Sequence, residues 1–221
     1  MLKHSTLYKI DELIERYPNL EVCRDNLNKS VTAICESFRG GHKLLTCGNG
    51  GSASDAMHIV GELMKGFILP RSIKEFNSDF YTKLKNIYPD DVEYFAKNLQ
   101  CTLPAISLVG ETALTTAFAN DQASDLAFAQ QVLGLGNNDD ILLAITTSGN
   151  SANVLHAVKV AKIKGLKTIA LTGRTGGKVK ALADISICVP ADSAHTIQEL
   201  HLPVYHMLCL AAENEFFNDQ E

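Results

Sequence analysis

The 221 residues include no tryptophan, and aromatic side chains make up only 7% of them. No apolar run approaches the roughly 18–20 residues that a membrane-spanning helix needs, so no membrane partner is expected. Basic residues are not in excess: 20 Lys and Arg stand against 25 Asp and Glu, a net charge of −5. Without a basic footprint, nucleic acid is not expected as a direct ligand. Six cysteines are present, but no two stand in a CxxC pair. In a chain of this size that pattern predicts reduced, mostly buried thiols rather than a disulfide framework. Repeats and low-complexity tracts are absent, and the opening MLKHSTLYKIDELIERY lacks the apolar core of an export signal, so a cytoplasmic location is expected. What remains is an ordinary globular composition, 46% hydrophobic, suited to one domain over residues 1–221.

The most informative stretch is LLTCGNGGSASDAMHIVGEL, residues 44–63. It reads as a short apolar strand, a turn through Gly48, Asn49, Gly50, Gly51 and Ser52, and then a helix carrying His58 and Glu62. A Gly-rich loop at a helix N-terminus gathers backbone N–H groups around an anion, and the helix dipole adds to the attraction. His58 and Glu62 are four apart and share one helix face. A small phosphorylated substrate, with proton-transfer or metal chemistry behind the anion cradle, is the chemistry this pattern suggests.

Ahead of this stretch, residues 1–40 read as a helical segment. Ile10, Leu13 and Ile14 recur at helical spacing, as do Val22, Leu27, Val31, Ile34 and Phe38. Pro18 is expected to separate the two helices and Gly40–Gly41 to end the second. Residues 69–102 are polar, aromatic and charged, and read as a helical insertion outside the central sheet. LPAISLVG (103–110) predicts a second strand, TALTTAFAND a short helix ending at Asn120–Asp121, and 126–133 another helix. Further strands are expected at 141–145, 168–171 and 185–189, with a helix over 152–164 between the first two. The tail from about His195 to Phe217 reads as a last helix, beginning or kinking at Pro203, with Leu200, Val204, Leu208 and Cys209 inward. Near-continuous apolar strands alternating with helices mean an α/β fold with a parallel sheet covered on both faces. Ligands of such folds sit beyond the carboxyl ends of the strands.

A second loop, Thr146-Thr147-Ser148-Gly149-Asn150-Ser151, also follows a strand and opens a helix. Its hydroxyls and the helix N–H groups suit phosphate without Lys or Arg. Taken alone it reads more readily as a helix cap by Asn150 or Ser151. Two such loops on one sheet favour phosphate. Neither loop has the G-x-G-x-x-G glycine spacing of a dinucleotide site, and no P-loop Lys follows. His58 and Glu62 read either as a packing residue and a solvated one, or, with His206 and a weaker oxygen ligand in Gln198, as a divalent metal site.

CGNGGSASDAMHxxxxE, FAND, TTSGNSANV, LTGRTGGK and IQELHxPVYH together resemble, in order and over nearly the whole chain, the sugar isomerase (SIS) family, in particular its heptose branch. The resemblance implies a flavodoxin-like three-layer sandwich around a five-stranded parallel sheet, with the N-terminal helices added. It also implies a homotetramer with active sites between subunits. It implies one zinc ion per subunit on His58, Glu62, Gln198 and His206. Asn49, Gly50, Gly51 and Ser52 match the family's first substrate loop, and Asn120 and Asp121 its Asn-Asp contact. Thr146, Thr147, Ser148 and Ser151 match its phosphate loop, with Thr146 replacing the usual Ser, and the resemblance also implies substrate contacts at Glu62 and Gln198. The implied reaction is aldose–ketose isomerisation of D-sedoheptulose 7-phosphate to D-glycero-D-manno-heptose 7-phosphate, for lipopolysaccharide or capsule heptose, with Glu62 and His206 as the proton carriers. Three departures stand out: the long insertion, Ala53 where the common enzymes carry His, and His195 where they carry Asp. The rival expectation within the family is a non-catalytic sugar-phosphate-binding regulator or a scaffold for the replication initiator. Such a binder has no need of the full His58, Glu62, Gln198, His206 set.

Overall fold

The computed structural model describes residues 1–218. Helix α1 (His4–Arg16) buries Ile10, Leu13 and Ile14. Pro18 opens a 3₁₀ turn (Pro18–Cys23), and α2 (Arg24–Arg39) then buries Leu27, Val31, Ile34 and Phe38 and stops at Gly40. Val22, expected on the inward stripe of α2, is instead 76% exposed, because it lies in the 3₁₀ turn, whose three-residue period breaks the helical register. Strand β1 (Leu44–Cys47) leads into α3 (Gly51–Met64). The segment 69–102 folds into α4 (Ile73–Phe76), α5 (Ser78–Ile87) and α6 (Val92–Asn98) around a small core of Ile73, Leu84 and Val92.

Strand β2 (Ala105–Ser107) is shorter than the expected 103–110. It is an edge strand paired only with β1, and Pro104 before it has no N–H to give; its carbonyl accepts from Leu44 N at 2.9 Å. Helix α7 (Thr112–Phe118) ends before Asn120, and a π-helical turn (Ala119–Ala123) and a 3₁₀ turn (Ser124–Leu126) connect it to α8 (Ala127–Leu135). The rest alternates as β3 (Ile141–Thr146), α9 (Ala152–Ile163), β4 (Lys167–Thr172), α10 (Val179–Leu182), β5 (Ile185–Cys188) and α11 (Ala194–Phe217). Helix α11 runs unbroken through Pro203, so it begins nine residues earlier than a start at that proline would require.

The five strands are all parallel in the order β2-β1-β3-β4-β5. That is the flavodoxin-like order, with its switch point between β1 and β3. Successive strand residues face opposite layers. Leu44, Leu143, Ile169 and Ile187 join α1, α2, α3 and α11, while Leu45, Leu142, Ala144 and Ala170 join α8 and α9. The result is the three-layer α/β sandwich. Among the described residues no helix is long and apolar enough to cross a membrane. All six cysteines are free, and burial pushes the Cys47 thiol up to about 12.

Candidate active site

The switch point brings the two loops together, because β1 and β3 are neighbours. Asn49 of the first loop and Asn153 at the start of α9 exchange two side-chain hydrogen bonds, 2.8 and 2.9 Å. Asn153 is absent from the expected site residues, yet it locks one loop to the other. In the first loop, Ser52, Ala53 and Ser54 give their N–H groups to the carbonyls of Asn49 and Gly50, which leaves the Asn49 amide and the buried Ser52 hydroxyl as its chemistry. Gly51 is required here by close approach: a Cβ would stand 2.4 Å from Gln198 Nε2. Gln198 therefore packs on the first loop.

In the second loop the capping alternative does not hold. Ser151 occupies the N-cap position of α9 without a side-chain cap bond, and its Oγ faces Thr146 Oγ1 at 3.3 Å. Asn150 bonds the Ser148 carbonyl and receives Lys178 N, so it too turns away from the helix. The amino end of α9 thus keeps N–H groups for an incoming anion, beside the exposed Ser148 hydroxyl.

The second half of the site lies two turns along α3. His58 Nε2 stands 3.1 Å from Glu62 Oε1, and Lys65 donates to Glu62 Oε2 at 2.8 Å. Burial pushes the Glu62 carboxyl up, but the hydrogen bonds and charge of Lys65 and His58 outweigh it and hold the group below the ordinary carboxylate range. Glu62 is therefore an anion at neutral pH. From α11, the His206 ring lies 5.1 Å from that of His58, 5.0 Å from Tyr205 and 5.3 Å from Phe67, all edge-on. Its Nε2 is buried with no hydrogen-bond partner, and burial followed by the neighbouring His58 lowers its affinity for a proton. Tyr205 Oη meets His58 Nδ1 at 3.0 Å and also bonds the Asp55 carboxyl, whose affinity for a proton burial raises.

His58, Glu62 and His206 are thus brought together. Gln198 is not with them: it is eight residues from His206, roughly 12 Å along α11. Among the described residues no group of three or more His, Cys, Asp or Glu is arranged to hold a metal ion. Asn120 donates to Asp121 at 2.8 Å within the exposed π-helical turn, away from both loops' hydrogen bonds.

The profile of the SIS domain matches residues 9–80 and 81–173. This chain belongs to the SIS domain family. Among relatives, a phosphoheptose isomerase of Helicobacter pylori (strain P12) is 38% identical over 94% of this SIS chain and 97% of its own length. The phosphoheptose isomerase of Aliarcobacter butzleri is 37% identical over 89% of this chain and 88% of its own. Among solved structures, a phosphoheptose isomerase of Francisella tularensis superposes with a TM-score of 0.73 at 32% identity, covering 92% of this chain and 94% of that one.

Sequence reasoning missed Lys65, Asn153 and Tyr205 in this SIS site. Lys65 was legible as a cation three residues after Glu62 on the same face. Tyr205, inside an apolar run, carried no signal of its own.

His201 has a different character. It is fully buried on α11 with no hydrogen-bond partner for either ring nitrogen, and burial, opposed in smaller part by the backbone of Thr172, lowers its pKa to about 4. The folded chain then binds fewer protons than the unfolded one between pH 6.5 and 4, so stability falls as pH falls through that window. At pH 5 the deficit from this one group is about 2 kcal/mol. Urea unfolding at pH 7.5 and pH 5 should show His201→Leu losing that part of the acid destabilisation. An unchanged pH dependence would mean that the imidazole finds a proton acceptor in the fold.

Proposed function

We propose that the chain is a phosphoheptose isomerase, interconverting D-sedoheptulose 7-phosphate and D-glycero-D-manno-heptose 7-phosphate in the cytoplasm for heptose biosynthesis. The observation that carries this reading is the meeting of an ionised carboxylate, Glu62, with an unpartnered imidazole, His206, in an SIS chain so similar to enzymes of that name.

The chemistry follows from the groups. Ketose becomes aldose by moving one proton from C1 to C2 and one from the C1 hydroxyl to the C2 oxygen, through an enediol. Glu62 takes the carbon-bound proton and returns it to the neighbouring carbon, while His206 Nε2 passes the hydroxyl proton between oxygens. Asn49, Gly50, Gly51, Ser52, Thr146, Thr147, Ser148 and Ser151 hold the phosphate and the chain next to it, Asn120, Asp121 and Gln198 the sugar hydroxyls. Binding energy from the remote phosphate then orients the reacting carbons.

A zinc ion on His58, Glu62, Gln198 and His206 is part of this reading. The orphaned Nε2 of His206 suits it. So does the Asp55–Tyr205 pair, which can take the Nδ1 proton of His58 and leave Nε2 a lone pair. In the single chain the three His and Glu side chains are near one another but not arranged to hold an ion, and Gln198 stands farther apart. Such an ion would polarise the carbonyl and steady the enediolate. The metal and the proton both draw on the Glu62 carboxylate, whose Oε1 faces His58 and Oε2 faces Lys65, and on the one Nε2 of His206.

A homotetramer with sites between subunits completes the proposal. Glu62 lies ten residues beyond Ser52 on α3, roughly 15 Å along the axis, more than the carbonyl-to-phosphate span of a seven-carbon sugar. Residues 112–126, which carry Asn120 and Asp121, bury none of their side chains in the single chain, and Leu114 and Leu126 are exposed. Neighbouring copies would cover that segment and bring the halves of two sites into reach.

Purified protein incubated with sedoheptulose 7-phosphate should yield the aldose phosphate, with a light-scattering mass four times that of the chain and about one zinc per chain by elemental analysis. Chelation should strip the metal and most of the turnover, and added zinc restore both. Sugar-phosphate binding without turnover would replace the enzyme reading by the regulator. Full turnover in metal-free protein would remove only the zinc.

A further inference from the structure

Arg71, in the stretch read from sequence as a polar insertion, is 1% exposed, and its partner Glu213 on α11 is 0% exposed. Helix α3 ends at Met64, and Lys65 is extended (φ −141°, ψ 174°), so the carbonyls of its last turn have no helical partner. Arg71 supplies one: Nη1 donates to the Leu63 carbonyl at 2.7 Å and Nη2 to the Glu62 carbonyl at 3.1 Å, while Nε donates to Glu213 Oε1 at 2.9 Å. The Glu213 carboxylate in turn accepts the backbone N–H groups of Phe67, Ile68 and Leu69 at 2.7, 2.9 and 3.2 Å. Phe67 is the residue whose ring packs on His206, and Glu213 follows His206 by two helical turns, on the same side of α11.

One buried ion pair thus holds the main chain of Glu62, the connection carrying Phe67, and the helix carrying His206. A buried pair is a poor stabiliser, because desolvation offsets its attraction and apolar substitutes of similar volume often serve as well. What such a pair does well is fix geometry, since each of its donors and acceptors has one place to go.

We infer that the Arg71–Glu213 pair is a positioning device that sets the Glu62 carboxylate against His206, governing turnover rather than sugar-phosphate affinity. The inference rests on the roles given above to Glu62 and His206. The stems of the insertion are tied to the same point: Cys101 N donates to the Arg71 carbonyl at 2.7 Å, Leu103 N to the Leu63 carbonyl at 3.0 Å, and Gly66 N to Gln100 Oε1 at 2.8 Å. The insertion is therefore braced against the helix end that presents the base.

Three variants test it: Arg71→Lys, Glu213→Gln and the double Arg71→Met/Glu213→Met. Lysine keeps the charge but lacks the planar fork that spans Glu213 and both carbonyls. A misplacement of about 1 Å can cost about 100-fold in rate. The expected result is kcat lower by about 10- to 100-fold in all three, with KM within about threefold, because the phosphate loops are untouched. The apolar double also strips the Arg71 bonds from two carbonyls and the Glu213 bonds from three N–H groups, so it should melt lower as well as stay slow. A crystal structure of the double should show the 5.1 Å contact between the His58 and His206 rings, which reports how α3 sits against α11, broken. Recovery of wild-type kcat together with wild-type melting in the double, or a crystal structure with that contact intact, would overturn the inference. An inactive wild type would overturn the isomerase reading instead, and the crystal structure would still decide whether the pair sets the geometry.

Discussion

Glu62→Gln should lower kcat by about 10²- to 10⁴-fold, the range that a positioned general base contributes, while KM for the heptose phosphate stays near its wild-type value. The amide keeps the size and hydrogen-bonding reach of the carboxylate but cannot accept a carbon-bound proton. The phosphate loops, ten residues away along α3, should not register the change. The fold should not register it either: Glu62 is surrounded by His58 and Lys65 rather than locked in the core, and the Lys65 pair is solvent-facing, with Lys65 58% exposed. Exposed pairs of that kind contribute only about 0–1 kcal/mol. Steady-state kinetics beside thermal melting are the measurement. Turnover within a factor of a few of wild type would move the base elsewhere, and a matching collapse of melting temperature would mean that the carboxylate serves structure first.

The core chemistry was legible because it is local. A strand running into glycines and then a helix, or a His and a Glu four apart, is a pattern the backbone geometry enforces over short distances. The same holds for the sheet, whose apolar strands 141–145 and 168–171 were found one residue longer at an end or both. What escaped depends on partners distant in sequence. Arg71 was read only as part of a polar insertion, because its charge is answered 142 residues later by Glu213. The capping alternative for Ser151 stayed open in the sequence because nothing local shows that its hydroxyl faces that of Thr146. The packing of Gln198 against Gly51 on the first loop is likewise a contact that no local pattern announces. Val22 fell out of its stripe through one 3₁₀ turn, and Tyr205 hid a hydroxyl inside an apolar pattern.

Gly149→Ala should damage phosphate recognition more than any substitution outside the catalytic cluster. Gly149 sits at φ +66°, where an L side chain is strained. The strain alone costs about 1–3 kcal/mol. The larger problem is space: a Cβ would stand 2.1 Å from the Gly176 carbonyl oxygen and 2.9 Å from Gly177 Cα, and both obstacles are backbone. The two loops are also stitched together, Gly173 N to the Thr147 carbonyl at 3.1 Å and Val179 N to the Gly149 carbonyl at 3.0 Å. The methyl group must therefore push residues 146–151 off residues 173–177, taking Ser148, Ser151 and the amino end of α9 out of register with Ser52. The expected loss in kcat/KM is about 100-fold for sedoheptulose 7-phosphate, and much less for unphosphorylated sedoheptulose, so the preference for the phosphate shrinks. Gly134→Ala is the control: it lies within α8 with nothing near the added methyl, and should leave kinetics alone while gaining up to about 1 kcal/mol of helix stability. If folded Gly149→Ala protein kept the full preference for the phosphorylated sugar, the phosphate would have to bind somewhere other than the β3–α9 loop.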